Sequence, residues 1–250
     1  MSNYTTAIDV SPLSDADELH VWRLHLSPPP EAMDSLGNWL STDEQEQAAR
    51  FRFERDRVRY TAAHAAMRLI LAGYLECSPD AVLMTPGPAG KPALTGRAVA
   101  AGIGFNLSHS GEWGLLAVGR QRWIGVDIEQ HRELPDLAQL VHSVLCPAER
   151  EVLDARPADR RLECFFQMWT RKEAVVKATG GGIGSGLTAI EIEPADPALD
   201  DGAFRTTVAT TGALSGQSFT FIGGYPAAVV CEVTSPRIVW RDWPVSQGCS

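Results

Sequence analysis

The chain has 250 residues, of which 44% are apolar, and it carries a formal net charge of −9. This composition excludes a disordered chain, and the acidic balance argues against broad binding to nucleic acid or to anionic membranes. The five cysteines are scattered along the chain without any C-x-x-C motif, which favours reduced thiols. Since the chain shows neither a signal-peptide start nor a long apolar run, we expect a soluble, cytoplasmic protein.

The first third of the chain alternates strand and helix signals. Glu18 to Leu26 alternates as a strand does, and three prolines stop it. A capping pattern at Ser41 to Glu44 then predicts a helix that runs to Phe53. Apolar side chains at helical spacing predict a longer helix from Asp56 to Leu75.

The middle of the chain predicts three strands joined by short links, which indicates an antiparallel meander: Gly104 to His109, Gly114 to Val118 and Trp123 to Glu129. A helical region follows from Pro147 to Thr179, with a break near Pro157. The remaining alternating runs predict a second antiparallel sheet, and they are Leu187 to Ile192, Phe204 to Ala209, Ser218 to Ile222 and Ala227 to Val233.

A weak internal repeat relates the two halves of the chain. Three residues of the first half each precede a residue of the second half by 105 positions, and the pairs are Glu44 with Glu149, Tyr60 with Phe165 and Arg68 with Glu173. The matches are few, so chance is the alternative to a duplication. A duplication would predict two similar halves with a site in the cleft between them.

Two carboxylates stand in the third predicted strand. Asp127 and Glu129 share one face, about 6.6 Å apart along the strand at a rise of ~3.3 Å per residue. Mg²⁺ prefers oxygen ligands and is often held by one or two carboxylates together with substrate phosphates. The alternative is the solvent-facing polar side of an amphipathic strand.

A third carboxylate lies in the last predicted helix. Helical spacing places Trp169, Glu173 and Lys177 on one stripe. If the stripe faces a metal, the carboxylate and the ammonium are candidates for a base and a phosphate contact. The alternative is an ordinary ion pair on a solvated surface, which contributes about 0.3 to 0.5 kcal/mol.

The stretch from Gly104 to Trp113 contributes Asn106, Ser108 and His109. Because neighbours on a strand point to opposite faces, His109 is poorly placed to activate Ser108 as a nucleophile. These side chains are better suited to phosphate contacts. Upstream, the stiff turn Gly90-Lys91-Pro92 presents one ammonium to an anion.

Taken in order, these motifs resemble the Sfp-type 4′-phosphopantetheinyl transferases. The resemblance covers roughly Ser41 to Gly186. It is carried by Gly90-Lys91-Pro92, by Phe105 through Ser110, by Ile124 through Glu129, and by Phe166 to Gly180, with support from Arg50-Phe51, Arg59 and Arg68.

The resemblance implies an α+β fold of two pseudo-twofold-related halves, each a small antiparallel sheet with a long helix. We expect the halves to span residues 1–120 and 121–250, with the active site at their junction. It also implies an enzyme that moves the phosphopantetheine group of coenzyme A onto a serine of an apo carrier protein, releasing adenosine 3′,5′-bisphosphate.

Residue roles follow from the same resemblance. The implied Mg²⁺ ligands are Asp127, Glu129 and Glu173, and the implied catalytic residues are Glu173, as the base, and Lys177. The implied contacts to coenzyme A are Arg50, Arg68, Lys91, Asn106, Ser108 and His109. Glu44 and Gln47 depart from the family, because they fall where some relatives place basic residues near the 3′-phosphate.

Two other readings stay open from the sequence. A Mg²⁺-dependent phosphohydrolase would use the same carboxylates with water, and a non-catalytic module would bind coenzyme A or a carrier without turnover. The resemblance implies an acyl, peptidyl or aryl carrier domain as partner, and carriers of fatty acid, polyketide, nonribosomal peptide and lysine pathways all stay open. A duplicated chain that builds its own cleft is expected to work as a monomer, without nucleic acid or membrane.

Overall fold

The computed structural model describes residues 10–87, 90–181, 186–198, 202–221 and 224–243. The strands are β1 (Glu18–His25), β2 (Met84–Pro86), β3 (Pro92–Leu94), β4 (Gly104–Ser110), β5 (Trp113–Gly119), β6 (Ile124–Ile128), β7 (Ala203–Val208), β8 (Gly212–Phe221), β9 (Tyr225–Cys231) and β10 (Arg237–Asp242). The α-helices are α1 (Met33–Gly37), α2 (Thr42–Ala49), α3 (Glu54–Leu75), α4 (Leu137–Val144), α5 (Pro147–Asp154) and α6 (Arg161–Thr179).

Two four-stranded sheets form the centre of the molecule. Their strand orders are β10-β1-β5-β4 and β6-β9-β8-β7, and β2 pairs with β3 separately. Neighbouring strands are antiparallel, apart from the parallel pair of β1 with β10. Mostly antiparallel sheets with separate long helices confirm the predicted α+β class.

The two halves of the chain repeat one topology. In each half a strand is followed by helices and then by a hairpin, and the second strand of the hairpin pairs back with the first strand. The first half gives the order β1-β5-β4, and the second half gives β6-β9-β8. This repetition supports the predicted duplication.

Two matching glutamates repeat as well. Glu44 closes a capping box at the start of α2, and Glu149 closes one at the start of α5. Each carboxylate then reaches a cation of the following long helix, because Glu44 pairs with Arg68 and Glu149 pairs with Lys172. The repeat spacing seen in the sequence thus corresponds to the same structural role in both halves.

The sheets face each other, and one long helix covers each outer face. Along β1, Leu19 and Val21 pack between the sheets, whereas Trp22 and Leu24 pack towards α3. On the second sheet, Ala228 and its face pack against α6. The predicted alternation of β6 is confirmed, since its three isoleucine and valine side chains lie between the sheets: Ile124, Val126 and Ile128.

The predicted meander of three strands is wrong in its last member. β4 and β5 form a hairpin, but β6 belongs to the second sheet and pairs with β9. The amide of Val126 donates to the side-chain oxygen of Asn106, at 2.8 Å, so a side chain of β4 satisfies an amide at the free edge of β6. The short link after β5 therefore crosses between sheets.

Other predictions change in detail. The expected strand from Leu187 to Ile192 is replaced by a 3-10 turn at Leu187–Ala189, whose first carbonyl accepts from the ammonium of Lys172. The sequence patterns missed α4, β10 and the short strands β2 and β3. Since β10 pairs with β1, the second half contributes a strand to the first sheet, and the division at residues 120 and 121 stays a prediction. Within the described ranges, no helix could span a membrane.

Candidate active site

The candidate site lies where β6 meets α6. Gly125 makes the close contact possible, because a Cβ there would lie 1.8 Å from the carbonyl oxygen of Ala174 and 2.6 Å from the amide nitrogen of Ala178. The glycine therefore lets the strand touch the helix backbone. Asp127, two residues further along the same face, is brought beside the last turns of α6.

Asp127 is a buried carboxylate with one free oxygen. Its Oδ1 accepts from the Lys177 ammonium at 2.5 Å and from the Ser108 hydroxyl at 2.9 Å, whereas its Oδ2 has no hydrogen-bond partner. Burial raises the pKa of Asp127 to about 6, against the lowering effect of Lys177. The alternative of a solvent-facing polar strand is therefore wrong for this residue, which is 3% exposed.

Glu129 lies at the rim of the same face. Its Oε2 accepts from the Ser110 hydroxyl at 2.9 Å and lies 3.3 Å from the guanidinium of Arg132. The charge of Glu129 raises the pKa of both Asp127 and Glu173. The three acidic side chains are thus close enough to influence one another electrostatically.

Glu173 is half-buried on α6. Burial raises its pKa above the usual value, while Lys177 and the indole of Trp169 lower it. The alternative of an ordinary ion pair between Glu173 and Lys177 does not describe this helix, since the partner of the Lys177 ammonium is Asp127. A carboxyl group with a raised pKa is better suited to accept a proton near neutral pH.

The donor chemistry of the site fits a hard cation. Carboxylate oxygens are the ligands that Mg²⁺ prefers, and Oδ2 of Asp127 is a buried oxygen still in need of a partner. Within the described residues, however, no three acidic, histidine or cysteine side chains are grouped as a metal site. The ammonium of Lys177 donates to the other oxygen of Asp127, Oδ1.

β4 supplies the wall that faces β6. Asn106, Ser108 and Ser110 share this face, and the two hydroxyls donate to the carboxylates of Asp127 and Glu129. Through its Oδ1, Asn106 accepts from the backbone amide of Val126 and so links the two sheets. Sequence reasoning missed Ser110, although the two-residue period from Ser108 would have identified it.

His109 points to the other side of β4, towards α3. Part of its side chain is exposed to solvent, although protein atoms pack around the rest of the ring. The pKa of His109 lies below the usual value, because protein atoms surround the ring and because His64, Lys177 and Arg59 bring positive charge close to it. This cationic region next to Asp127 suits an anionic ligand.

Lys91, predicted to present its ammonium to an anion, contacts two backbone carbonyls, and its contact with coenzyme A stays a prediction. Its Nζ donates to the carbonyl oxygen of Ile124 at 2.7 Å and to that of Ala178 at 3.3 Å. Burial lowers the pKa of Lys91 to about 8. The side chain joins the start of β6 to the end of α6 through two of its three N–H donors.

The two arginines predicted to contact phosphate lie in different environments. Arg68 is buried, and its guanidinium donates to Glu44, Pro79 and Val82; its contact with a phosphate stays a prediction. Arg50 keeps 72% of its side chain exposed, 4.0 Å from Glu46. Arg50 is therefore available to a ligand.

Two family models match the chain. The 4′-phosphopantetheinyl transferase superfamily matches residues 124–230, and the model described as 4′-phosphopantetheinyl transferase, N-terminal, matches residues 25–121. Together they span both halves of the repeated topology.

Curated relatives carry the same name. The chain is 42% identical over 185 residues to the 4′-phosphopantetheinyl transferase HetI of Nostoc sp., an alignment that covers 73% of this chain and 78% of the relative. It is 30% identical to the L-aminoadipate-semialdehyde dehydrogenase-phosphopantetheinyl transferase of Xenopus laevis, over 67% of this chain and 60% of the relative. It is 32% identical to the 4′-phosphopantetheinyl transferase psf-1 of Bacillus pumilus, over 62% of this chain and 64% of the relative. With both halves matched and the first of these relatives covered over most of its length, this chain belongs to the 4′-phosphopantetheinyl transferase family.

Proposed function

We propose that the protein transfers the 4′-phosphopantetheine group of coenzyme A to a serine of an apo carrier protein and releases adenosine 3′,5′-bisphosphate. The observation that carries this proposal is Asp127, a buried carboxylate with an unpartnered oxygen that faces Lys177 and is coupled to Glu129. Burying such a group costs stability, which indicates a functional reason for keeping it.

The proposal includes magnesium. Asp127, Glu129 and Glu173 are the residues that would hold Mg²⁺, because their oxygens are of the right type and their charges already act on one another. When bound, the ion supplies positive charge at the diphosphate of coenzyme A.

Glu173 acts as the base in this proposal. The hydroxyl oxygen of the carrier serine forms a bond to the phosphorus that bears the pantetheine arm, and the bond from that phosphorus to the bridging oxygen breaks. The serine proton passes to Glu173, whose raised pKa favours uptake of a proton. The bridging oxygen leaves with the electron pair on adenosine 3′,5′-bisphosphate.

Lys177 balances the charge of the leaving group. Its side chain is 30% exposed, so the ammonium that holds Asp127 is also accessible to a bound diphosphate. Ser108 and His109 adjoin the same region and are proposed to contact the nucleotide portion, together with the exposed Arg50. Lys91, Arg68 and Asn106 support this site from inside the protein.

The proposal extends to the two halves of the chain, its oligomeric state and its carrier. The halves at residues 1–120 and 121–250 would meet at the active site, and the chain would act as a monomer because it builds both walls of the site itself. A cytoplasmic location would agree with its scattered cysteines. The carrier would belong to fatty acid, polyketide or nonribosomal peptide synthesis.

One assay tests the reaction class. The protein is incubated with Mg²⁺, coenzyme A and an apo carrier, and the mass of the carrier is read. A gain of one phosphopantetheine with release of adenosine 3′,5′-bisphosphate is expected. Cleavage of coenzyme A with an unchanged carrier would indicate a phosphohydrolase, and an unchanged mixture with bound coenzyme A would indicate a binding module. Either of these two results would overturn the proposal.

A further inference from the structure

We propose that His64 of α3, held in place by Glu44 of α2, is a phosphate contact of the coenzyme A site. The inference rests on the proposed function and adds a ligand-binding residue to it. It also explains how a carboxylate at position 44 is compatible with an anionic ligand.

Glu44 is neutralised inside the protein. Its Oε1 accepts from Nδ1 of His64 at 3.0 Å, and its Oε2 accepts from Nε of Arg68 at 2.5 Å and from the amide of Ser41 at 2.8 Å. Burial alone would raise the pKa of Glu44, but these hydrogen bonds hold it at about 2. The carboxylate is therefore ionised and shared between the imidazole of His64 and the guanidinium of Arg68, so a nearby phosphate does not face an isolated negative charge.

The position of the His64 ring is fixed on two sides. Glu44 binds Nδ1, and the ring of Tyr60 stacks on the imidazole with centroids 4.0 Å apart and planes inclined by 26°. Tyr60 in turn packs against Phe51 at 5.3 Å. Because Nδ1 is committed to Glu44, Nε2 is the nitrogen left for a ligand.

His64 lies on the side of the cleft that carries positive charge. The charge of His64 contributes to lowering the pKa of His109, which places the two imidazoles near one another and near Arg59 and Lys177. The side chain of His64 is 16% exposed, so a ligand atom is able to reach it. In the imidazolium form both ring nitrogens donate, so Nε2–H is the donor that would meet a phosphate oxygen while Nδ1 stays on Glu44.

The charge balance of the site also points to His64. Coenzyme A brings a diphosphate and a 3′-phosphate, whereas the ammonium of Lys91 and the guanidinium of Arg68 are bound to protein oxygens. The basic side chains that act on His109 are His64, whose Nε2 is not bound to Glu44, Arg59, and Lys177, whose ammonium is shared with Asp127. Of these three, His64 has its orientation set by a second side chain and a stacked ring.

The test measures affinity for coenzyme A by calorimetry in His64→Ala, His64→Gln and His64→Arg. We expect the first two variants to bind about tenfold or more weakly, which is the usual effect of losing a charge-assisted hydrogen bond, and His64→Arg to bind within a few-fold of the wild type. His142→Ala, at an exposed histidine of α4, is the matched control and should bind as the wild type does.

Parallel titrations with 3′-dephospho coenzyme A identify the phosphate. A loss confined to coenzyme A assigns the contact to the 3′-phosphate, and an equal loss for both ligands assigns it to the diphosphate; both results support the proposal. Unchanged affinity of folded His64→Ala and His64→Gln for both ligands would overturn it, even if their melting temperatures fall. Failure of the wild type to bind coenzyme A would instead refute the proposed function.

Discussion

The ammonium of Lys177 lies 2.5 Å from Oδ1 of Asp127 and joins the last turns of α6 to the middle of β6. This contact neutralises part of a buried charge, yet burial still raises the pKa of Asp127. The ionised Asp127 carboxylate therefore destabilises the folded protein, as is common where function opposes stability.

Asp127→Asn should stabilise the protein. The native pKa of about 6 lies above the unfolded value of 3.8, so the native state holds a proton more tightly and wild-type stability falls as pH rises through this interval. The full shift corresponds to about 3 kcal/mol at ~1.4 kcal/mol per pKa unit. Since asparagine leaves Lys177 without its ionic partner, we expect a net gain of about 1 to 2 kcal/mol in the free energy of unfolding above pH 6.

Urea unfolding of wild type and Asp127→Asn at pH 4 and pH 7.5 checks this expectation. The gain should be present at pH 7.5 and shrink towards pH 4, where the wild-type carboxyl is protonated in the native state. Asp43→Asn, at an exposed carboxylate in the first turn of α2, serves as the control for a general charge effect. A variant less stable than wild type at pH 7.5 would contradict the account.

Glu173→Gln should separate chemistry from binding. The amide keeps the size of the side chain but cannot take a proton, so the rate of transfer should fall by about 10² or more. Affinity for coenzyme A should change by only a few-fold. Rapid-quench transfer assays and calorimetry measure the two quantities. Wild-type kinetics in this variant would remove Glu173 from the role of base.

Lys177→Met should slow transfer more than it weakens the binding of coenzyme A. The ammonium is needed most where negative charge develops on the leaving group, and an apolar side chain leaves that charge uncompensated. We expect a loss of about 10² in kcat, compared with roughly tenfold or less in affinity. Equal losses in both quantities would indicate a contact made already in the ground state.

Lys91→Met tests whether that side chain serves stability or the binding of coenzyme A. The ammonium bonds carbonyls of Ile124 and Ala178, so its loss should lower the free energy of unfolding by about 2 kcal/mol. Folded protein should keep its affinity for coenzyme A within a few-fold. A stable variant with a large loss of affinity would support the prediction that Lys91 contacts an anion.

Gly125→Ala tests the contact between β6 and α6. The added Cβ would overlap the carbonyl oxygen of Ala174, so strand and helix must separate at a cost of about 2 kcal/mol or more. Gly37→Ala, where a Cβ would meet no atom within 4 Å, is the matched control. Thermal unfolding that leaves both variants like the wild type would contradict the assigned packing.

Local patterns predicted much of the fold. The capping box at Ser41 and Glu44, the long helices and the alternation of β6 all depend on near neighbours in the chain, and they appear as expected. The crossing of β6 into the second sheet depends on a contact between Asn106 and Val126, and β10 depends on a partner at the other end of the chain. No short window of sequence contains such contacts.

The candidate site was likewise predicted only where neighbouring residues determine it. Spacing brought Asp127 and Glu129 to one face, and helical period placed Glu173 with Lys177. The spacing did not show that the Lys177 ammonium pairs with Asp127, or that Lys91 and Arg68 bind oxygens inside the protein. Those contacts depend on carbonyls and carboxylates far along the chain.

The most direct test of the central assignment is a time course of carrier mass under single-turnover conditions, with coenzyme A, Mg²⁺ and an apo carrier, for wild type and folded Asp127→Asn. We predict complete conversion of the carrier by the wild type and no detectable phosphopantetheine on the carrier with the variant. Conversion at the wild-type rate by Asp127→Asn would contradict the assignment of this buried carboxylate as the centre of the reaction.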